Sequence, residues 1–167
     1  MITKYLTKNF YINTIIFFLI FILDRFSKIY VMNLDKVNYS SELYQSKYLN
    51  INLIWNEGIA FGLLSFNQNN LYNLLSFLIA IIVFVIFLMI IKNNNIKRYP
   101  LLMIFAGAAG NLYDRIVYKA VPDFIDFHIG DFHWFIFNVA DIFISFGVIC
   151  LILVEIILDK HLKNENK

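Results

Sequence analysis

Long uncharged stretches alternate along this chain with short polar and charged segments. Fifteen uncharged residues lie between Lys8 and Asp24, and no charge occurs from Gly58 to Ile91. A helix needs about 20 apolar residues to cross about 30 Å of hydrocarbon. The first helix therefore has to continue past Asp24, to about Val31, and the pattern predicts membrane-spanning helices.

The 34 uncharged residues from Gly58 to Ile91 are too many for one crossing. As a continuous helix they would extend over about 51 Å, well beyond the thickness of the hydrocarbon. The polar run Asn67–Asn70 interrupts them. We therefore predict a second span over Leu71–Ile91 and a re-entrant or interfacial segment over Gly58–Phe66.

Two further spans complete the pattern. Pro100 suits the first turn of a third helix, where its missing N–H costs no hydrogen bond, and that helix runs to about Tyr118. We predict an all-α membrane protein with four transmembrane helices, forming a single integral membrane domain over residues 1–167. The predicted spans cover residues 9–31, 71–91, 100–118 and about Phe135–Leu158.

A small β-containing region is predicted on the extracytoplasmic side. Leu49–Asn56 alternates apolar and mostly polar residues, as a half-buried strand does. Val121–Phe127 is a candidate for a second extended piece. Pro122 cannot donate a hydrogen bond, so we expect this piece at an edge.

Composition supports the membrane interpretation. Hydrophobic residues make up 60% of the chain, charged residues 16%, and the mean hydropathy is +0.66. No water-soluble domain of this size could bury so many apolar side chains in one core. Six Gly and two Pro offer too few turns for a barrel of many short strands. The lone Cys150 excludes a disulfide framework. A net charge of +2, with basic residues at segment ends, argues against a nucleic-acid partner.

The charges also predict an orientation. Eight of the fourteen basic residues lie on the side of the two termini, which the positive-inside rule makes cytoplasmic: Lys4, Lys8, Lys92, Lys97, Arg98, Lys160, Lys163 and Lys167. Nine of the twelve acidic residues lie on the outer side, where we therefore expect any chemistry: Asp24, Asp35, Glu42, Glu57, Asp114, Asp123, Asp126, Asp131 and Asp141.

Ionisable residues at membrane depth are functional candidates because a charge there is costly. Asp24 and Lys28 share one helical face, and a simple ion pair would explain them. In the third helix, the small residues of Ala106–Gly110 permit close helix packing. Packing does not explain Asn111, which shares a helical face with Asp114 and Arg115. The simpler alternative to a functional role is an ion pair between Asp114 and Arg115 at the surface.

The fourth helix begins with Asn138 and Asp141 on one face. Asn138 is expected as the N-cap, whereas Asp141 lacks such an explanation and must face protein or a wet cavity. Asp123, in the preceding extended piece, can converge with Asp141. Two close carboxylates share a proton, so one acts as base toward water, which suits peptide hydrolysis without a metal. Membrane carboxylates also bind ions or carry protons.

Four residues offer a competing metal site: Asp126, His128, Asp131 and His133. Their spacing is not a recognised ligand pattern. We therefore expect no metal and no cofactor.

Five segments, in order from Asp24 to about Ser145, resemble the lipoprotein signal peptidase (signal peptidase II) family of bacteria. They are Asp24–Lys28, Asn56–Gly62, Ala106–Arg115, Val121–Phe124 and Phe137–Asp141. The chain departs from the family pattern at Arg25, usually Gln, and at Ala106, usually Gly. It also has Pro122 next to Asp123 and lacks the Gly normally found before that residue.

The resemblance implies an aspartyl endopeptidase that removes signal peptides from diacylglyceryl-modified prolipoproteins, cutting before the lipidated cysteine. It implies a multi-pass protein of the bacterial inner membrane with its active site at the outer face. We expect a monomer whose partners are this substrate and membrane lipid. By the same resemblance, Asp123 and Asp141 match the catalytic pair of the family. Four residues would line the site: Asn56, Asn111, Arg115 and Asn138. Three others would support it, namely Asp24, Lys28 and Asp114, and Asp114 would orient Arg115.

Two other functions were weighed. A small proton- or ion-coupled transporter would use Asp24, Asp114 and Asp141 as a relay, but the chain has no evident internal repeat and no acid deep in the second span. A metal-dependent phospholipid-processing transferase would need clustered carboxylates on an inner-face loop, and the sequence has none there.

Overall fold

The computed structural model describes residues 2–38, 42–58 and 69–165. Within these ranges the chain is mostly helical and carries one small sheet. The elements follow in the order α1 (Ile2–Asn38), β1 (Glu42–Gln45), β2 (Leu49–Asn56), α2 (Asn69–Lys92), α3 (Arg98–Tyr118), β3 (Val121–Ile129), β4 (Phe132–Phe137) and α4 (Val139–Glu165).

Two of the described helices are long and apolar enough to cross a bilayer, over Tyr72–Lys92 and Val139–Leu158. Their side chains are largely exposed, as Phe77 and Ile156 illustrate. Such surfaces suit lipid rather than water. In α1 and α3 several charged residues are instead buried inside the molecule, among them Asp24, Lys28, Asp114 and Arg115.

Helix α3 is central and packs against α4, α1 and α2. A Cβ added at Gly107 would lie 2.6 Å from the carbonyl oxygen of Ala140, and one at Gly110 would lie 2.6 Å from Oδ2 of Asp24. The small residues therefore let α4 and α1 approach α3 closely, which agrees with the packing role predicted for Ala106–Gly110.

The sheet is antiparallel in the order β1-β2-β3-β4. Strand β2 has the predicted bounds, and its Leu53 packs with Val31 and Phe124 between α1 and the sheet. From the sequence, the strand that carries Pro122 is expected at an edge of the sheet, and this expectation is wrong, because β3 lies between β2 and β4. The proline fits there because β4 pairs with β3 only from Ile125 onward.

Several predicted boundaries are corrected. Helix α1 continues to Asn38, and Asn69 and Asn70 belong to α2 rather than to a break. The fourth helix begins at Val139, because Phe135 and its neighbours pair with β3 as strand β4. That strand was missed because its apolar run continues into the apolar helix. Of the predicted segment Gly58–Phe66, residues 59–66 lie outside the described residues.

The turn from α3 into β3 is made by Lys119, which has the left-handed conformation φ 58, ψ 19. A residue in this conformation ends many helices, and glycine adopts it most easily. The chain uses lysine, and two residues later β3 begins and leads to Asp123. The absence of a glycine in this stretch therefore does not prevent the turn.

Candidate active site

Asp123 lies at the third position of β3 and is only 4% exposed. Its Oδ2 accepts a hydrogen bond from Nδ2 of Asn56 at 2.9 Å, and its Oδ1 accepts one from Nδ2 of Asn138 at 2.6 Å. Asn56 ends β2, the strand paired with β3, so the sheet register brings it to Asp123. Both carboxylate oxygens are thus oriented by side-chain amides.

Asp141 lies in the first turn of α4, where it forms a reciprocal capping arrangement with Asn138. The Asn138 Oδ1 accepts from the Asp141 N–H at 3.2 Å, and the Asp141 Oδ2 accepts from the Asn138 N–H at 3.0 Å. The expectation that Asn138 is the N-cap is confirmed. The expectation that Asp141 has no such explanation is wrong, since its carboxylate completes the cap. Its Oδ1 also accepts from Nδ2 of Asn111 at 2.8 Å.

Asn138 connects the two aspartates, donating to one carboxylate through its side chain and to the other through its backbone. Burial raises the pKa of Asp123 from 3.8 to about 6. The hydrogen bonds from Asn56 and Asn138 oppose this rise in pKa, while the nearby Asp141 charge adds to it. The site therefore holds two carboxylates that are linked by Asn138 and interact electrostatically.

Behind this pair, Lys28 is fully buried and contacts three helical side chains. Its Nζ lies 2.9 Å from Oδ1 of Asp24, 2.7 Å from Oδ2 of Asp114 and 2.8 Å from Oδ1 of Asn111. The predicted Asp24–Lys28 pair is confirmed. Asp24 also accepts from the backbone N–H of Ala140 at 3.1 Å, so the network reaches the start of α4.

Arg25 is a member of this network that the sequence analysis did not place in the site. Its guanidinium pairs with Asp114 and with Asp24, and it donates to the carbonyl oxygen of Gly110 at 3.3 Å. A charge count could have found it, because two buried acids with Lys28 alone would leave an uncompensated negative charge.

The surface pair between Asp114 and Arg115, given above as an alternative explanation, does not form. Adjacent residues on a helix point about 100° apart, and Asp114 faces Arg25 and Lys28 on α1. Arg115 instead donates from Nη2 to the carbonyl oxygen of Gly58 at 2.9 Å, while its buried Nη1 has no partner within residues 2–38, 42–58 and 69–165. Asp114 therefore does not orient Arg115 by direct contact.

The residues weighed as a metal site are partly brought together. Ligand atoms of Asp126, His128 and His133 all lie within 4.8 Å of one another, whereas Asp131 is not part of this group. The group lies on β3 and β4, at residues other than those that contact the aspartate pair.

Fold and site together define an integral membrane protein in which a buried and a half-buried aspartate meet where a helix bundle joins a small sheet. A family model described as Signal peptidase (SPase) II matches residues 16–157, so the chain belongs to the signal peptidase II family. It is accordingly a protease.

Curated relatives cover nearly the whole chain. A lipoprotein signal peptidase of Pelagibacter ubique (strain HTCC1062) is 52% identical over 158 residues, 95% of each chain. One of Anaplasma phagocytophilum (strain HZ) is 38% identical over 148 residues, which are 87% of this chain and 92% of the relative.

Two solved structures of bacterial membrane enzymes, determined by the in meso method, have a similar fold. One is 27% identical with a TM-score of 0.66, and the match covers 89% of this chain and 88% of the solved chain. The other is 25% identical with a TM-score of 0.68, and the match covers 86% of this chain and 91% of the solved chain. The fold described here is therefore one that membrane enzymes use.

Proposed function

We propose that this protease removes signal peptides from diacylglyceryl-modified prolipoproteins, cutting before the lipidated cysteine, with Asp123 and Asp141 as its catalytic pair. The names of the relatives support the substrate class. The observation that carries the catalytic assignment is the convergence of two carboxylates, the buried Asp123 of β3 and the half-buried Asp141 of α4, linked by Asn138.

In this proposal the pair works with one shared proton. The ionised carboxylate takes a proton from a water molecule, and the water oxygen attacks the scissile carbonyl carbon. The protonated carboxyl gives its proton to the carbonyl oxygen. When the C–N bond breaks, the proton taken from water passes to the leaving nitrogen. A hydroxyl proton of the tetrahedral diol returns to the other carboxylate as the new carboxyl group forms, so the pair again holds one shared proton.

The surrounding amides position the pair. Asn56, Asn111 and Asn138 each donate to one of the two carboxylates. The buried Nη1 of Arg115 has no partner in the part of the chain that the structure describes, and in this proposal it donates to a carbonyl oxygen of the substrate main chain. Asp24, Lys28 and Asp114, together with Arg25, hold the helices on which these groups lie.

We further propose that the chain is one integral domain that crosses the inner membrane four times, with both termini cytoplasmic. Helices α1 to α4 supply the spans, the last from Val139 rather than from residue 135. The sheet and the aspartates then lie at the outer boundary, where a lipid-anchored cysteine of a translocated precursor would lie. In this arrangement the protein works as a monomer surrounded by lipid.

The experiment that tests the function compares two substrates. Purified protein in detergent should cleave a diacylglyceryl-modified precursor and leave the same precursor without the lipid intact. Equal cleavage of both would contradict the proposed substrate class.

The catalytic assignment is tested with Asp123→Asn and Asp141→Asn. Each change should lower the cleavage rate by about 10²-fold or more, because an amide cannot exchange the required proton. The matched control is Asp131→Asn, which changes an exposed turn acid and should cleave at the wild-type rate. Unchanged helical circular dichroism would show that the variants fold; cleavage near wild type in either site variant would refute the pair.

A further inference from the structure

A second group of ligand-type side chains lies on the sheet, beyond the aspartate pair. Asp126 and His128 are both buried and project from one face of β3, since the intervening Phe127 is exposed. His133 on β4 is the cross-strand partner of His128. The two imidazole rings stack with centroids 4.9 Å apart and planes inclined by 17°.

These three side chains already approach the spacing of metal ligands. The His133 Nδ1 lies 2.9 Å from Oδ2 of Asp126. Two ligand atoms of one tetrahedral zinc ion lie about 3.3 Å apart, given bonds of about 2.0 to 2.1 Å. All three candidate ligand atoms lie within 4.8 Å of one another, a spacing somewhat wider than that of two ligands on one zinc ion.

An unsatisfied atom points to a missing partner. His128 is only 9% exposed, and its buried Nδ1 has no hydrogen-bond partner among the described residues. Leaving a buried polar atom unpaired costs free energy, so such an atom requires an explanation, and an absent ion is one of the accepted ones. Asp126 also accepts a long hydrogen bond of 3.4 Å from Nδ2 of Asn50, as carboxylate ligands commonly do from outer-shell donors.

We propose that Asp126, His128 and His133 form a binding site for a divalent transition-metal ion of the zinc type. Two imidazoles and one carboxylate are a ligand set that zinc accepts, with a water in the fourth position. His133 is 51% exposed, so the ion and its water reach the site from solvent. The absence of a recognised spacing in the sequence does not count against this site, since the strand register supplies the proximity.

The ion would act as a clamp on the sheet. It would link β3 to β4 close to the turn at Gly130, and β3 is the strand that carries Asp123 three residues before Asp126. Because a metal that binds only the folded state stabilises it, the ion should raise the thermal unfolding temperature. This role is independent of the proposed proteolytic chemistry, which needs no metal.

The test is zinc binding by the full-length protein, purified in detergent without a histidine tag and stripped with a chelator. Calorimetric titration should show one zinc ion per chain, and zinc should raise the unfolding midpoint. Loss of an outer-shell partner typically weakens metal binding by about 10 to 100-fold, so loss of a ligand should cost at least 100-fold. We expect this weakening of zinc binding in His128→Ala and in His133→Ala. The side chain of His133 is half exposed, so its removal is compatible with folding and keeps the test valid if His128→Ala unfolds.

Two controls locate the ion. Asp131→Asn changes the neighbouring acid outside the cluster, and His161→Ala changes the one other histidine of the sequence. Both should bind zinc as the wild type does. Failure of the wild type to bind zinc would overturn the proposal, and so would equal binding by His128→Ala and His133→Ala. Weakened binding in Asp123→Asn or Asp141→Asn with full binding in the histidine variants would assign the ion to the aspartates and also overturn it.

Discussion

At the scale of single residues, Asn138 determines how the two aspartates are held together. An asparagine side chain has both donor and acceptor groups, and Asn138 uses its amide nitrogen for Asp123 and its oxygen for the Asp141 N–H. An aspartate at this position could accept from Asp141 but could not donate to Asp123. The arrangement thus needs an amide between two acids.

The cleavage rate should depend on pH in two limbs, because the pair needs one protonated and one ionised carboxyl. Burial raises the pKa of Asp123 to about 6, so its proton leaves as the pH rises through that value and kcat/KM should fall. Bound substrate excludes more water and raises the pKa of Asp123 further, so the alkaline limb of kcat should lie at higher pH. Cleavage assays from about pH 4 to 9 test both limbs.

The Asp141→Asn variant is the control for this profile. It removes the negative charge that raises the pKa of Asp123, so the pH dependence of any residual activity should lose one limb and shift to lower pH. A flat wild-type profile across the whole range would contradict a shared catalytic proton.

Arg25 balances the charge of the buried network, and its replacement tests that balance. Arg25→Gln leaves Lys28 as the one cation among the described residues that contacts Asp24 and Asp114, so we expect a loss of about 3 to 5 kcal/mol in stability. The double variant Arg25→Gln, Asp114→Asn restores neutrality and should regain part of that loss. Thermal unfolding in detergent measures both, and an unchanged midpoint in Arg25→Gln would refute the assigned role.

At the scale of elements, the interface between α3 and α4 sets the distance between Asn111 and Asp141. Gly107→Ala places a Cβ 2.6 Å from the backbone oxygen of Ala140, so α4 has to shift. Overpacking of this kind costs about 1 to 3 kcal/mol. Because Asp141 follows Ala140 directly, the cleavage rate should also fall by about tenfold or more.

Gly147→Ala is the matched control for that change. Its added Cβ would lie 2.8 Å from Cγ1 of Ile104 and 2.9 Å from the Pro100 carbonyl oxygen, in the same interface but far from Asp141 along α4. It should lower the unfolding temperature comparably while affecting cleavage less. Equal losses of activity in the two variants would show that the interface affects the site only through global stability.

At the scale of the whole molecule, the charge distribution predicts the orientation in the membrane. Single cysteines at Asn38, which ends α1, and at Asn94, between α2 and α3, should react with an impermeant reagent from opposite faces. The background is Cys150→Ala, because Cys150 is the one native cysteine. Labelling of both positions from outside would contradict cytoplasmic termini.

Much of the element order follows from local pattern. The strand over Leu49–Asn56 has the predicted bounds, and the third helix has its predicted end at Tyr118 although it begins at Arg98 rather than at Pro100. Alternation and helical periodicity are properties of neighbouring residues, so local pattern can show them. The start of the fourth helix could not be located this way. An apolar strand followed by an apolar helix has no internal boundary signal, and only pairing with β3 separates Phe135 from Val139.

The sequence by itself determined the apolar helices, the asymmetry of charge and the two aspartates worth testing, because hydrophobicity and charge act through each residue and its near neighbours. Only the tertiary structure decided that Asp114 faces Arg25 and Lys28 rather than Arg115, and that His133 stacks on His128. Those contacts depend on helix packing and strand register. Both are set by the combined interactions of segments far apart in the chain, so no local pattern contains them.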